Sequence, residues 1–282
     1  MKYEYLLIAL AIIVLIGLIL LPIVLAVGAV LATRCGGSHP WIRQMRRYAY
    51  AHRGLHDETK PENSMSAFRA AVAAGYGMEL DVHLLKDGNL AVIHDFDLGR
   101  VTGQEGKVED LDSQDLWNYR LQGSREMIPT FKEVLDMVNG SVPLIVELKC
   151  AKNNYEALCK AVCERLDNYK GLYCVESFDP RCVRWLKKNR PDIMRGQLAE
   201  NYFRSDIKIN IFVRLVMTFQ LTNFLSRPHF VAYRYADRNH VSNLLVKKLW
   251  GATRVTWTVQ NKEEFLQAKK ESWIPIFENF TP

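Results

Sequence analysis

A chain of 282 residues can hold one large domain or two small ones, and an α/β barrel of roughly 250 residues is a common single-domain solution. A net charge of only +6, with no polybasic tail and no recognisable nucleic-acid motif, needs no nucleic-acid partner. The six cysteines are an even number, but a chain this large does not need bridges, and Cys159 and Cys163 lie one helical turn apart like buried thiols, so free thiols and a reducing compartment are expected.

Residues 5–32 carry no charge and are dominated by Leu, Ile, Val and Ala. A helix of ~20 such residues crosses the ~30 Å hydrocarbon core of a bilayer, so this run predicts an uncleaved single transmembrane helix with length to spare, bent or tilted near Pro22. A cleaved signal peptide, with its apolar core of ~7 to 15 residues, is too short to account for it. Residues 33–47 form a basic linker in which Arg34, Arg43, Arg46 and Arg47 outweigh Lys2 before the span. That excess favours a cytoplasmic catalytic domain and would hold it against anionic head groups, although the extracytoplasmic side stays open.

From residue 48 to 282 the pattern alternates. Strand-like runs near 48–52, 78–83, 89–94, 142–148, 172–177, 193–198, 229–233 and 253–259 are separated mostly by segments of helical period. Helices are expected at Ser64 to Ala74, with Phe68, Ala71 and Val72 as the stripe and Gly75 as the stop, and at Phe131 to Val138, Tyr155 to Leu166, Asp179 to Asn189, His240 to Leu249 and Lys262 to Lys270. This alternation predicts a parallel sheet closed into a (β/α)8 TIM barrel behind the N-terminal transmembrane helix. Asp87-Gly88 departs from it and predicts a hairpin. The Gly-containing stretch from Gly99 to Ile128 reads as a long loop, with a short helix at Ser113 to Tyr119, walling the active face.

Residues 207–225 are almost continuously apolar, broken only by Lys208 and Arg214 among charges. The favoured reading is a barrel helix packed on the sheet; the other is an interfacial helix that enters a bilayer or receives an acyl chain. The last strand is expected to close the barrel through Ile274, Ile276 and Phe277, with the anchor or linker covering its edge.

Four clusters of ionisable residues end the apolar runs: His52-Arg53-Gly54, Glu79-Leu80-Asp81, His94-Asp95 and Glu147-Leu148-Lys149. A buried strand does not normally finish in charge without a partner, so these ends share a polar mouth. In an extended chain i and i+2 share a face, which sets Glu79 beside Asp81 and Glu147 beside Lys149. Two crowded carboxylates stay ionised only around a cation, and a third, Glu147, completes an all-oxygen set suited to Mg²⁺ or Ca²⁺.

His-Arg-Gly, Pro61-Glu62-Asn63-Ser64, Glu79-Leu80-Asp81-Val82, Lys86-Asp87-Gly88, Val92-Ile93-His94-Asp95, Ile128-Pro129-Thr130, Glu147-Leu148-Lys149, Ser177-Phe178-Asp179 and Trp257-Thr258-Val259 follow the order of the glycerophosphodiester phosphodiesterase family. The chain resembles that family from about Tyr48 to its C-terminus, except that Glu278-Asn279 stands where relatives tend to show Thr-Asp. The resemblance implies a TIM barrel and hydrolysis of glycerophosphodiesters to glycerol 3-phosphate and an alcohol. It implies attack by the 2-hydroxyl to form a cyclic phosphate that water then opens. His52 and His94 would exchange acid and base roles in the two steps, in an order the sequence does not give. Glu79, Asp81 and Glu147 would hold one divalent cation; Arg53 and Lys149 would bind phosphate oxygens; Trp257 would floor the glycerol; Glu62 and Asn63 would support them. His56, His83, His229 and His240 read as ordinary hydrogen-bonded histidines.

Two alternatives differ in substrate and in class. The anchor makes membrane lipids accessible, so a lysophospholipid cleaved at its head group is one. A non-catalytic membrane-associated module binding phosphodiesters is the other, and it would show a broken catalytic set. No obligate protein partner is evident in the sequence.

Overall fold

The structure is a computed structural model and describes residues 2–282. Helix α1 (Lys2–Ala32) continues through Pro22. Its Leu10–Ala32 portion is long and apolar enough to cross a membrane or to be a signal sequence, and none of that portion is buried by the rest of the chain. The basic segment that follows does not hang free. Its short helix α2 (Ile42–Met45) buries Ile42 and Met45 among Tyr50, Ile145, Cys174, Met194 and Phe230, and so plugs one end of the barrel.

The elements then run β1 (Tyr50–Ala51), α3 (Met65–Ala73), β2 (Gly77–Leu84), β3 (Leu90–Val92), α4 (Gly99–Thr102), α5 (Phe131–Val138), β4 (Leu144–Leu148), α6 (Tyr155–Leu166), β5 (Tyr173–Ser177), α7 (Pro180–Asn189) and β6 (Arg195–Ala199). After these come α8 (Ile211–Thr218), α9 (Asn223–Ser226), β7 (Phe230–Arg234), α10 (Val241–Trp250), β8 (Thr253–Val259), α11 (Lys262–Lys270) and β9 (Ile274–Phe277). Eight parallel strands close into a TIM barrel, with β1 pairing both β2 and β9. β3 stands outside the closure, antiparallel to β2 across a turn in which Gly88 takes φ +82°, the hairpin that Asp87-Gly88 predicts.

Side chains alternate across the sheet. Met78, Leu80, Val82, Leu144, Val146 and Val175 face the helices, whereas Tyr50, Ile145, Cys174, Phe230, Val255 and Ile274 fill the barrel. Two glycines make room for the largest inner rings: a Cβ on Gly77 would lie 2.6 Å from the Tyr50 ring, and one on Gly196 would lie 2.1 Å from that of Phe230. Outside, the helices start where the sequence caps them. Ser64 Oγ accepts from Ala67 N (3.2 Å), and Thr130 forms a reciprocal capping box with Glu133 ahead of the buried stripe Phe131, Val134, Leu135 and Val138. Such a cap stabilises a helix by about 1 kcal/mol, and each fully buried side chain of the stripe by about 2 kcal/mol, so packing fixes α5 and the cap sets where it begins.

One expectation fails. α8 is not packed on the sheet: Ile211, Phe212, Val213 and Leu215 are exposed and only Thr218 is buried, while the short α9 lies against α7 and the foot of α1. A high apolar content reads alike for a core helix and for one that meets a non-aqueous surface. The linker does reach β9: Ile42 and Met45 cluster with Ile274 and Ile276, and Arg46 Nη1 donates to Ser272 O (3.5 Å) just ahead of the strand, while Phe277 packs edge-on against Tyr76, Phe265 and Phe280. All six cysteines are free, as the spacing suggests.

Candidate active site

Inward-facing positions turn from apolar to charged at the C-terminal ends of the strands. On β2, Glu79 and Asp81 share the inner face; the parallel register sets Asp81 opposite Glu147 on β4, and Glu147 opposite Glu176 on β5. All four carboxyl groups are buried. Oxygens of Glu79, Asp81 and Glu147 lie within 4.8 Å of one another. Lys149 Nζ reaches Glu147 Oε1 (2.7 Å) and Asp81 Oδ1 (3.0 Å), and Asn63 Nδ2 donates to Asp81 Oδ2 (2.8 Å).

The His-Arg-Gly turn brings Arg53 over this cluster. Its backbone N–H donates to Glu79 Oε2 (3.1 Å), Nη1 donates to Glu62 Oε1 (2.8 Å), and Nε stands 3.5 Å from Asp81 Oδ2. Arg53 and Asn63 both adopt left-handed backbone, φ 54° and 53°, and are tied by Asn63 N to Arg53 O (2.9 Å). Gly54 follows at φ +81°, where a Cβ would lie 2.9 Å from the Ala67 backbone, so the turn requires glycine. Left-handed non-glycine residues cost of order 1 kcal/mol or more and persist where surrounding contacts hold them.

Burial governs the electrostatics. It pushes the Glu79 carboxyl well above the ordinary range, with the Asp81 and Glu147 charges adding to it, and it pushes Glu147 up to about 7 against the pull of Lys149. Burial raises Glu176 in the same way, helped by Glu147. At Asp81 burial is outweighed by Lys149, His94 and Arg53, which hold its carboxyl well below the usual range. Were all four carboxyl groups ionised beside the two cations Lys149 and Arg53, a deficit of two charges would remain, which one divalent ion would cancel. The all-oxygen donor set suits a hard cation, so Glu79, Asp81 and Glu147 fit a divalent metal.

The two histidines are built alike. His52 Nδ1 lies 3.0 Å from Glu278 Oε1 with Nε2 turned toward Glu79 Oε2 (3.9 Å), and His94 Nδ1 lies 2.5 Å from Asp95 Oδ1. A carboxylate on Nδ1 fixes the proton there and leaves Nε2 as the basic nitrogen. Burial lowers both; His94, with Lys149 and Arg53 adding to burial against the opposing pull of Asp81, falls to about 4. Trp257, on the inner face of β8, packs edge-on against Phe178 with ring centroids 5.5 Å apart.

The structure thus brings His52, His94, Arg53, Glu62, Asn63, Glu79, Asp81, Glu147 and Lys149 together, and it adds residues the sequence reading passed over. Glu278 accepts from both His52 and His56 (3.0 Å each), so His56 shares the site. Arg100, at the start of the 99–128 segment, pairs Glu62 with Asp95 at the mouth, while Val108, Leu111, Leu116 and Leu121 of that segment pack with Leu85, Ala91 and Ile93. Glu176 repeats the alternation of Glu147 one strand over, and the same i, i+2 rule applied to residues 172–177 finds it. His83 is the ordinary buried histidine expected, bonded to Glu109 (2.7 Å).

A closed barrel whose polar mouth joins three carboxylates, two carboxylate-held imidazoles and two cations gathers metal-ligating, acid/base and anion-binding groups in one place. The model of the glycerophosphoryl diester phosphodiesterase family matches residues 52–281, and the chain belongs to that family of phosphoric diester hydrolases. A glycerophosphodiester phosphodiesterase of Caldanaerobacter subterraneus is 35% identical over 170 residues, 55% of this chain and 68% of the relative. A Mus musculus protein named lysophospholipase D GDPD1 is 35% identical over 133 residues, 43% of this chain and 41% of the relative. Among solved structures, an Oleispira antarctica phosphodiesterase in complex with the product sn-glycerol-3-phosphate shares the fold, with TM-score 0.67 and 21% identity, covering 82% of this chain and 92% of its own.

Proposed function

We propose that this chain is a membrane-anchored, divalent-metal-dependent phosphodiesterase that converts glycerophosphodiesters to glycerol 3-phosphate and an alcohol. Residues 5–32 are the anchor, 33–47 the basic linker and 48–282 the catalytic barrel, held on the cytoplasmic side by Arg34, Arg43, Arg46 and Arg47. The observation that carries the reading is the pair of imidazoles, each steadied at Nδ1 by a carboxylate, flanking the Glu79, Asp81 and Glu147 cluster.

A bound Mg²⁺ or Ca²⁺ would polarise a phosphoryl oxygen and acidify the attacking hydroxyl. Every other part of the chemistry belongs to side chains. His94, kept neutral by its burial, takes the proton of the glycerol 2-hydroxyl, whose oxygen then attacks phosphorus and displaces the alcohol. His52, which enters this step as the imidazolium, with Nδ1–H on Glu278 and a second proton on Nε2, gives the Nε2 proton to the departing alkoxide, and a cyclic phosphate remains. In the second step His52 takes a proton from water, water oxygen bonds to phosphorus, the ring P–O bond at the 2-position breaks, and His94 returns the proton to that oxygen. Arg53, whose Nε has no hydrogen-bond partner, and Lys149 supply positive charge to the non-bridging oxygens. Glu62 and Asn63 hold Arg53 and Asp81 in place, and Trp257 with Phe178 offers the glycerol carbons an apolar wall.

A lysophospholipid is the second substrate class, favoured by the long exposed apolar helix α1 and by the named lysophospholipase D among the relatives. Metal-stripped full-length protein, resupplied separately with Mg²⁺ and Ca²⁺, should release glycerol 3-phosphate from glycerophosphocholine or lysophosphatidic acid from lysophosphatidylcholine. Whichever product dominates assigns the substrate; full turnover in chelator would sink the metal-dependent reading.

A further inference from the structure

The barrel's exposed apolar surface is gathered on one flank. Among the described residues outside α1, large exposed apolar side chains elsewhere are Phe96, Trp117 and Leu266 and, on α10, Val241, Leu244 and Leu249, whereas Phe203, Ile207, Ile211, Phe212, Val213, Leu215, Phe224 and Leu225 follow one another along the connection after β6. Phe212 is 72% exposed, the highest value of any large apolar residue outside the anchor. Arg204, Lys208, Arg214 and Arg227 are interspersed with this run and Asp206 is the one acid within it, a pairing of apolar and basic side chains that suits an anionic lipid interface better than water.

The same flank holds the foot of α1. Trp250 Nε1 donates to Thr33 Oγ1 (3.0 Å), the Arg34 guanidinium lies over the Trp250 ring, Gly36 N donates to Pro228 O (2.8 Å), and Cys35 is buried beside Asn223 of α9. Gly36 is four residues beyond Ala32, and four extended residues span at most about 14 Å. The α9–α10 flank therefore stands within that distance of the end of the helix. Thr218, the last residue of α8, bonds back to Tyr202 N (3.0 Å), just past the end of β6 where the barrel mouth begins. The apolar run thus joins the foot of the anchor to the rim of the active site.

We propose that residues 203–225, with α8 at their centre, lie in the head-group layer of an anionic bilayer, so that the barrel rests on this flank with its mouth at the lipid surface. This rests on the reading of α1 as a membrane span. The competing pose stands the barrel on its plugged end, with Arg43 at the lipid and Phe212 in water. Full-length protein in nanodiscs of phosphatidylglycerol and phosphatidylcholine, carrying p-benzoylphenylalanine in place of Ile16, Arg43, Phe212 or Leu266, separates them by mass spectrometry of photo-adducts. Lipid adducts are expected at positions 16 and 212, with about tenfold less at 266, and Ile211→Asp with Leu215→Asp should remove those at 212. Adducts at 16 without any at 212, adducts at 43 in place of 212, or protein-to-protein adducts at 212 would overturn the proposal while leaving the anchor intact. No lipid adduct at 16 would overturn both.

Discussion

The two ends of the barrel use one rule to opposite purposes. At the N-terminal end the inward positions are Tyr50, Ile145, Cys174, Met194, Phe230 and Val255, sealed by Ile42 and Met45 from the linker. At the C-terminal end the inward positions are Glu79 and Asp81 on β2, Glu147 on β4 with Lys149 just past it, and Glu176 on β5. The first end gains stability by excluding water from hydrocarbon; the second gives up stability by burying like charges, a repulsion that protonation or a bound cation relieves. A substitution at one end should therefore change folding and leave chemistry, and at the other change chemistry and leave folding.

The largest separation is expected for Glu79→Gln. The amide oxygen can still accept from Arg53 N–H, and removal of one crowded carboxyl relieves repulsion with Asp81 and Glu147, so the melting temperature should hold or rise. Turnover should fall about 10³-fold or more, some 4 kcal/mol of transition-state stabilisation, and the thermal shift caused by added Mg²⁺ or Ca²⁺ should vanish. Glycerol 3-phosphate release and melting curves measured on one preparation check both.

The converse is Gly196→Ala. Its new Cβ would meet the Phe230 ring at 2.1 Å in a packed interior, and overpacking of this kind costs typically 1–3 kcal/mol. The melting temperature should drop by about 2–4 °C for each kcal/mol, with turnover per folded molecule unchanged. Phe230→Leu in the same chain should recover part of the loss. A fall in turnover at temperatures where the variant is folded would show that the two ends are coupled.

The comparison also explains what the sequence disclosed. Alternation is local, so Glu79 with Asp81, Glu147 with Lys149 and the Asp87-Gly88 hairpin were readable from neighbours two or three positions apart. Glu278 was visible only as a departure from the family pattern, because its role comes from meeting His52 across 226 positions of chain when β9 closes against β1. The docking of Thr33 and Gly36 on Trp250 and Pro228 is equally non-local. α8 failed for another reason: hydrophobicity reports a preference to leave water and does not say whether protein or lipid receives the side chain.

Glu278→Gln sharpens the comparison at intermediate size. An amide keeps a hydrogen bond to His52 but loses the charge that favours Nδ1–H, and loss of such an orienting partner typically costs 10–100-fold. The loss should appear in kcat more than in KM, and His56→Ala should show a much smaller one if its part is only to share Glu278.

The smallest effect is one of pH. His94, held at about 4, is neutral above that value and in the proposed mechanism accepts the first proton in this form, so kcat/KM should fall as pH drops through about 4. The Asp95 carboxylate raises that value, and Arg100 and Glu62 complete the chain that positions it. Asp95→Asn should therefore move the acid limb to lower pH while reducing kcat about tenfold through a less firmly oriented ring. A profile that instead loses activity as pH rises from 4 would give His94 the acid role in the first step and His52 the base, since the two must start with one proton between them.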